Sequence, residues 1–162
     1  MENKQHTRKA NRLREYDYSN GGYYFITICV DGMYSLLGEV VDGKIELNQY
    51  GNIIEKHWLD IPHRFNDTEL DHYIIMPNHF HGILIINENQ ASKRTTLPAV
   101  IGAFKSLTTI EIRKSGCDEF KWQRSYYDRI IRNETELFKI RRYIELNPLK
   151  WDIDRDSSNI EL

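Results

Sequence analysis

The sequence "YIIMPNHFHGILII", residues 73–86, is the most hydrophobic segment of the chain. Its apolar and β-branched residues predict two strands, over 68–76 and 79–86. Pro77 and Asn78 join the two strands, because this pair of residues is typical of a tight connection. The segment therefore predicts a buried hairpin.

Two histidines interrupt the apolar run. Alternate side chains of a strand point to the same face, so His79 and His81 project together and Phe80 points the other way. Two imidazoles on one face supply two nitrogen ligands to a divalent ion, provided that a third ligand comes from another element. In the other interpretation, one histidine is a hydrogen-bonded core residue and the other is half exposed. The spacing alone leaves both interpretations open.

The remaining segments surround this hairpin in an α+β pattern. Strands are predicted over 21–30 and 126–131, a small hairpin over 36–48, and helices over 48–62, 97–114 and 134–147. Pro62 and Pro148 are expected to end the first and the last of these helices. Without the small hairpin, the order is βαββαβ, which is the plan of a ferredoxin-like antiparallel sheet, and a further helix follows at the C-terminus.

Length and composition are consistent with one folded domain, since the chain has 162 residues of which 40% are hydrophobic. We predict that this domain covers 21–151, between a basic N-terminal arm at 1–20 and an acidic C-terminal tail at 152–162. No apolar run approaches the length of a membrane span, and the two cysteines have no CxxC spacing. A reducing cytoplasm is the expected location.

Charge is unevenly distributed along the chain. The net charge is −2, but residues 1–14 carry +4, residues 15–90 carry −9, residues 91–151 carry +6, and the last eleven residues carry −3. Such segregation allows a basic face for a polyanion on a protein that is nearly neutral overall. A basic face that is merely solvated would give the same pattern.

The last predicted helix carries a second pair of polar residues. Its apolar stripe consists of Leu137, Ile140 and Ile144, and Tyr143 and Asn147 lie one turn apart beside that stripe. At this flank, a tyrosine and an amide meet groups on a central strand. Core packing and a helix C-cap would account for the same two residues.

Together these motifs resemble a known family. The segments "MPNHFH", "WQRSYYDRIIRN" and "YIELNP", with "YDYSNGGYYFITICV" near the start, are similar to the single-tyrosine HUH transposases, and above all to the REP-associated tyrosine transposases and their insertion-sequence relatives. The resemblance runs from about Arg8 to Trp151. It implies metal-dependent nicking and rejoining of single-stranded DNA, on substrates that contain imperfect hairpins.

Site residues follow from this resemblance position by position. Tyr143 matches the nucleophile that forms a 5′-phosphotyrosine, and His79, His81 and Asn147 match the ligands of a divalent metal ion, Mg²⁺ or Mn²⁺. The residues considered for DNA binding are Lys105, Trp122, Arg124, Arg129, Arg132 and Arg142. Lys105 is equally well explained as a solvated lysine, and Trp122 as a core residue. The resemblance leaves open whether the protein acts as a homodimer or as a monomer.

Two other functions compete with the transposase. A catalytically silent module that binds single-stranded nucleic acid could have the same sheet, although it has no need for paired histidines that face a tyrosine and an amide. A metal-dependent hydrolase is disfavoured because no carboxylate lies at ligand spacing from the histidines.

Overall fold

The structure is a computed structural model, which describes residues 21–88 and 94–158. The predicted N-terminal arm lies outside the described residues, as do 89–93 of the polar loop and 159–162 of the predicted tail. In the described part, no helix is both long and apolar enough to cross a membrane.

In residues 21–88 and 94–158, six strands and four α-helices form in the order β1, β2, β3, α1, α2, β4, β5, α3, β6, α4. The strands are β1 (Gly22–Cys29), β2 (Gly38–Val41), β3 (Lys44–Leu47), β4 (Thr68–Ile75), β5 (His79–Ile86) and β6 (Tyr127–Ile131). The helices are α1 (Gln49–Leu59), α2 (Ile61–Arg64), α3 (Leu97–Lys114) and α4 (Glu134–Ser158).

Four of the strands make one antiparallel sheet in the order β4-β5-β1-β6. The first strand of the chain thus lies at the centre, between the third and the fourth strands of the βαββαβ unit, which is the ferredoxin-like arrangement. The remaining two strands, β2 and β3, pair only with each other as the predicted small hairpin. The predicted α+β, ferredoxin-like fold is confirmed.

One face of the sheet packs against α1 and α3. Tyr24, Ile26 and Ile28 alternate along β1 and are fully buried in a cluster that includes Trp58 of α1 and Phe104 of α3. Burial of large apolar side chains of this kind contributes about 1.5–3 kcal/mol for each residue. This face therefore holds the main hydrophobic core.

The opposite face packs against α4. A second apolar cluster joins Ile83 of β5 and Ile131 of β6 to Ile140 and Ile144 of α4. Phe25 of β1 packs against the same cluster. The apolar stripe that was predicted for the last helix therefore covers the face of the sheet on which the two histidines project.

Gly82 follows the two histidines because β5 packs tightly against α1. A Cβ atom at this position would lie 2.6 Å from Cζ of Phe80 and 2.7 Å from Cζ2 of Trp58. These rings are buried and cannot move without disturbing the core. A residue with a side chain is therefore excluded here.

Local sequence signals predicted several turns and caps. Asp42 and Gly43 both have positive φ, of 51° and 73°, as a primed two-residue turn requires. Asn133 accepts a hydrogen bond from the backbone N–H of Glu136 at 2.9 Å and so caps α4. The Glu136 carboxylate accepts in return from the N–H of Arg132, one residue earlier than in a capping box.

Both predictions that a proline ends a helix were wrong. The first helix ends at Leu59, and Pro62 lies inside the short α2. Pro148 lies within α4, which continues to Ser158. Part of the predicted acidic tail, residues 152–158, is therefore helical.

Contacts with the small hairpin hold α4 beyond its proline. An internal proline removes one helical hydrogen bond and costs about 3 kcal/mol. Oδ2 of Asp152 accepts a hydrogen bond from the backbone N–H of Gly43 at 2.5 Å, and Leu149 lies against the same glycine. These contacts join residues that are far apart in sequence. The rule that a proline ends a helix considers only neighbouring residues, so it failed here.

An ion pair fastens α4 to the edge strand β4. Nε and Nη2 of Arg141 donate to the two carboxylate oxygens of Asp71 at 2.8 and 2.6 Å. This hydrogen bonding lowers the pKa of the Asp71 carboxyl to about 2. Because the pKa is lower in the folded protein than the ordinary value of about 3.9, the pair stabilises the fold at neutral pH.

We expect Asp71→Asn to lower the free energy of unfolding by about 1 kcal/mol at pH 7, since one partner of a two-pronged ion pair is lost. The difference from wild type should shrink as the pH falls from about 5 towards 2, where Asp71 itself becomes protonated. Urea unfolding followed by circular dichroism at several pH values measures both effects. Asp31→Asn, in an exposed pair with Lys121, is the control and should change little. A difference that does not depend on pH would contradict this account.

Candidate active site

The sheet register places the two histidines beside the central strand. His79 lies opposite Cys29 and His81 lies opposite Thr27 in the pairing of β5 with β1. The centroids of the two imidazole rings are 4.7 Å apart, and His81 is only 5% exposed. The pair therefore forms one polar spot on the face of the sheet that α4 covers.

His81 is held by two residues of β1. Oγ1 of Thr27 lies 2.8 Å from Nδ1 of His81. The ring of Phe25 stacks on the imidazole with centroids 5.4 Å apart and an angle of 24° between the planes. The orientation of this ring is thus set by the strand beside it.

His79 has contacts on two sides. Its Nδ1 lies 2.7 Å from Oδ1 of Asn78, which belongs to the connection between β4 and β5. The side chain of Asn147 makes a hydrogen bond with the same imidazole. The ring of Trp151, one turn further along α4, has its centroid 6.2 Å from that of His79.

Tyr143 and Asn147 of α4 complete the cluster. The centroid of the Tyr143 ring lies 5.3 Å from that of His81, and Nδ2 of Asn147 donates to the backbone carbonyl of Tyr143 at 3.1 Å. Asn147 is 8% exposed, whereas Tyr143 is 44% exposed. The structure therefore brings the four residues together, with the tyrosine at the surface and the amide below it.

Burial keeps both imidazoles neutral. Burial, and to a smaller extent the neighbouring His79, lowers the pKa of the His81 imidazole to about 3. Burial also lowers the pKa of His79, against the opposing effect of the hydrogen bond with Asn147. Neutral imidazoles have the lone pairs that a metal ion needs.

The donor set fits a divalent cation. Nδ1 of each histidine is engaged by a neighbour, and the amide nitrogen of Asn147 is engaged by a carbonyl. A metal ion would therefore bind Nε2 of each histidine and the amide oxygen, and at His79 it would replace the present contact with Asn147. Mixed nitrogen and oxygen ligands with room for further oxygens suit Mg²⁺ or Mn²⁺. Within 21–88 and 94–158, no three His, Cys, Asp or Glu side chains are grouped so that they could hold a metal ion, so the amide would be an essential member of the set.

The chain has a relative of known sequence. No family model matches the chain. An uncharacterized protein of Haemophilus influenzae is 34% identical over an alignment length of 167 residues. The alignment covers 93% of this chain and 93% of the Haemophilus protein. The chain belongs to the same family as this Haemophilus protein.

Two solved structures share the fold. A REP-associated tyrosine transposase bound to a REP hairpin superposes with a TM-score of 0.62 and 19% identity, over 86% of this chain and 73% of that chain. The chain has the fold of the REP-associated tyrosine transposases. A candidate transposase from Deinococcus radiodurans R1 superposes with a TM-score of 0.52 and 18% identity, over 83% of this chain and 95% of that chain. This shared fold agrees with the fold that the resemblance in the sequence motifs implied.

Two of the residues considered for DNA binding make structural contacts within the protein. Trp122 is 6% exposed, and its Nε1 donates to Oγ1 of Thr108 at 2.9 Å in the core. Trp122 is therefore the core residue of the alternative interpretation, and its buried ring is not accessible for DNA binding. Nζ of Lys105 donates to the carbonyls of Gln123 and Arg124 at 2.7 and 3.2 Å, so it braces the segment before β6.

The four arginines considered for DNA binding are exposed. Arg129 shares the histidine face of the sheet, because it lies opposite Phe25 in the pairing of β6 with β1. It forms an ion pair with Glu136 at 3.3 Å. The other three are Arg124 and Arg132, which flank β6 in sequence, and Arg142, which is adjacent to Tyr143 in α4.

Sequence reasoning did not identify Thr27, Asn78 and Tyr127. Tyr126 and Tyr127 are adjacent in the sequence, but their side chains point in different directions: Tyr126 is buried, and Tyr127 is 53% exposed. Tyr127 lies opposite Thr27, which in turn lies opposite His81. Strand alternation puts Tyr127, Arg129 and Ile131 on one face of β6, and the pairing of β6 with β1 shows that this is the histidine face.

Proposed function

We propose that this protein is a transposase that nicks and rejoins single-stranded DNA in a metal-dependent reaction, through a covalent 5′-phosphotyrosine on Tyr143. The observation that supports this most is the position of Tyr143, a partly exposed phenol beside a buried imidazole, a half-buried imidazole and a buried amide. The shared fold with a REP-associated tyrosine transposase adds support.

The residues fit the chemistry of phosphoryl transfer. A phenol with an ordinary pKa of about 10 is a weak nucleophile at neutral pH, so the phosphate has to be oriented and its charge reduced. His79, His81 and Asn147 would hold Mg²⁺ or Mn²⁺, which when bound neutralises and orients the scissile phosphate. Tyr143 is exposed enough for a phosphate to reach its hydroxyl.

The nicking step exchanges one ester bond for another. The Tyr143 oxygen forms a bond with phosphorus and gives up its proton to solvent, while the bond from phosphorus to the 3′-oxygen breaks. That oxygen leaves as a 3′-hydroxyl after taking up a proton. Because the phosphotyrosine preserves the energy of the ester bond, a 3′-hydroxyl of another strand can attack it and release the tyrosine without ATP.

DNA would enter from the β6 side of the sheet. Arg129 and Tyr127 are exposed there on the histidine face, and Arg142 is next to the nucleophile. Arginines contact phosphates, and an exposed aromatic ring stacks on unpaired bases. The REP hairpin bound to the structural neighbour supports a substrate that contains a hairpin. The cytoplasmic location stays a prediction from the sequence, and the resemblance allows either a homodimer or a monomer.

Tyr143→Phe should abolish the covalent adduct with single-stranded DNA, with a loss of rate of at least about three orders of magnitude, because the nucleophilic oxygen is removed. Labelled hairpin oligonucleotides with varied flanks, incubated with Mn²⁺ or Mg²⁺ and separated on denaturing gels, measure the adduct. Tyr127→Phe is the matched control and should keep it. An adduct that survives in Tyr143→Phe and is lost in Tyr127→Phe would assign the nucleophile to the sheet. Binding without cleavage of any substrate would favour the silent binding module.

His79→Ala should lose both Mn²⁺ binding and adduct formation, since one of three protein ligands is removed. A chelator should have the same effect on the wild-type protein. Titration calorimetry measures the metal affinity, and the gel assay measures the adduct. His63→Ala, which alters an exposed histidine, is the control. Cleavage by wild type at full rate in the chelator would contradict the metal requirement.

Tyr127→Ala should weaken binding of single-stranded DNA by about tenfold or more, since stacking of one base contributes about 1–3 kcal/mol. Tyr127→Phe should bind like wild type because it retains the ring. Fluorescence anisotropy with a labelled oligonucleotide measures the affinities. Phe138→Ala removes a 65% exposed aromatic ring of α4 and is the control. Equal affinities for Tyr127→Ala and wild type would exclude a base stacked at this position.

A further inference from the structure

Both histidines use the same ring nitrogen for a protein contact. Nδ1 of His81 faces the Thr27 hydroxyl at 2.8 Å, and Nδ1 of His79 faces the Asn78 amide oxygen at 2.7 Å. A neutral imidazole has one N–H and one lone pair, and the partner of one nitrogen decides which nitrogen has the proton. The two partners therefore control which nitrogen of each ring is available for a ligand.

We infer that Thr27 and Asn78 are positioning residues, which hold His81 and His79 in the tautomer with the proton on Nδ1 and thereby present both Nε2 lone pairs to a divalent ion. The inference rests on the proposed function, because it assigns partners to the metal ligands proposed there. Such partners of metal-binding histidines typically raise metal affinity by about 10–100-fold.

The orientation of Asn78 is fixed by a second contact. Its Nδ2 donates to the backbone carbonyl of Met33 at 3.3 Å, so its Oδ1 is the atom that faces His79. A carbonyl oxygen only accepts hydrogen bonds, so Nδ1 of His79 must be the donor. The lone pair of His79 is then on Nε2.

Thr27 is fixed by the sheet. It lies on the central strand, with His81 opposite on β5 and Tyr127 opposite on β6. The stacked ring of Phe25, two residues earlier on the same strand, keeps the imidazole of His81 in place. The Thr27 hydroxyl can both donate and accept a hydrogen bond. When it accepts from Nδ1–H of His81, the lone pair of that imidazole is on Nε2 and can bind a cation.

The test compares Thr27→Val with wild type in the absence and presence of Mn²⁺. Valine keeps the branched shape and the strand preference of threonine but has no hydroxyl. Long-range ¹⁵N–¹H spectra of the metal-free protein at pH 8 report the tautomer of each histidine. In the wild type we expect the proton on Nδ1 of both rings. In Thr27→Val, His81 should lose this preference while His79 keeps it.

Metal affinity is the second measurement. Thr27→Val should bind Mn²⁺ about tenfold more weakly by titration calorimetry, and Thr27→Ser should restore the affinity. Thr109→Val, which removes a hydroxyl from α3 on the other face of the sheet, is the matched control and should bind like wild type. Circular dichroism establishes that the variants fold. Should Thr27→Val not fold, Asn78→Ala tests the same inference at His79.

A proton on Nε2 of His81 in the wild type would overturn the inference, as would unchanged tautomer and affinity in Thr27→Val. Nicking assays separate this failure from failure of the proposed function. If Thr27→Val loses the tautomer and Mn²⁺ while wild type binds the metal but nicks no DNA, the inference stands and the proposed function fails. If wild type nicks DNA and Thr27→Val equals it in both measurements, only the inference fails.

Discussion

The antiparallel pairing of β1 with β5 is the constraint on which the rest of this molecule depends. Because side chains alternate along each strand, the same short segment supplies Phe80 to the main core and His79 and His81 to the opposite face. A shift of one residue in this register would exchange the two faces and place imidazoles among the core side chains. Because Gly82 has no side chain, the ring of Trp58 packs directly against β5 on the core side of the sheet.

The helix α4 converts this polar spot into an enclosed site. Its apolar stripe packs on Ile83 and Ile131, and the ion pair of Arg141 with Asp71 fastens it to the sheet edge. The same packing buries His81 and partly buries His79, and this burial lowers the pKa of both imidazoles. It also brings Tyr143 against His81 at the boundary with solvent. The packing of α4 on the sheet thus stabilises the fold and also brings together the residues of the proposed active site.

The proposed ligands are all neutral, and this has an electrostatic consequence. A divalent ion held by two imidazoles and an amide keeps its full charge, since no carboxylate in the set compensates for it. Under the proposed function a DNA phosphate would be the compensating group, and the exposed arginines include Arg129 on the histidine face of the sheet and Arg142 next to Tyr143 in α4. Under the proposed function, a chain with a net charge of −2 therefore attracts a polyanion through local rather than overall charge.

The sequence by itself determined the features that depend on neighbouring residues. Strand alternation put the histidines on one face, the Asp42-Gly43 turn has the primed geometry, and Tyr143 and Asn147 share one side of a helix. Tertiary structure decided the rest. The continuation of α4 past Pro148 depends on Asp152 meeting Gly43, which is 109 residues away. The burial of Trp122 and the contact of Thr27 with His81 likewise join distant segments. Helix and strand propensities depend only on residues that are close in sequence. The free energy of the contacts listed here is gained only when distant elements pack together.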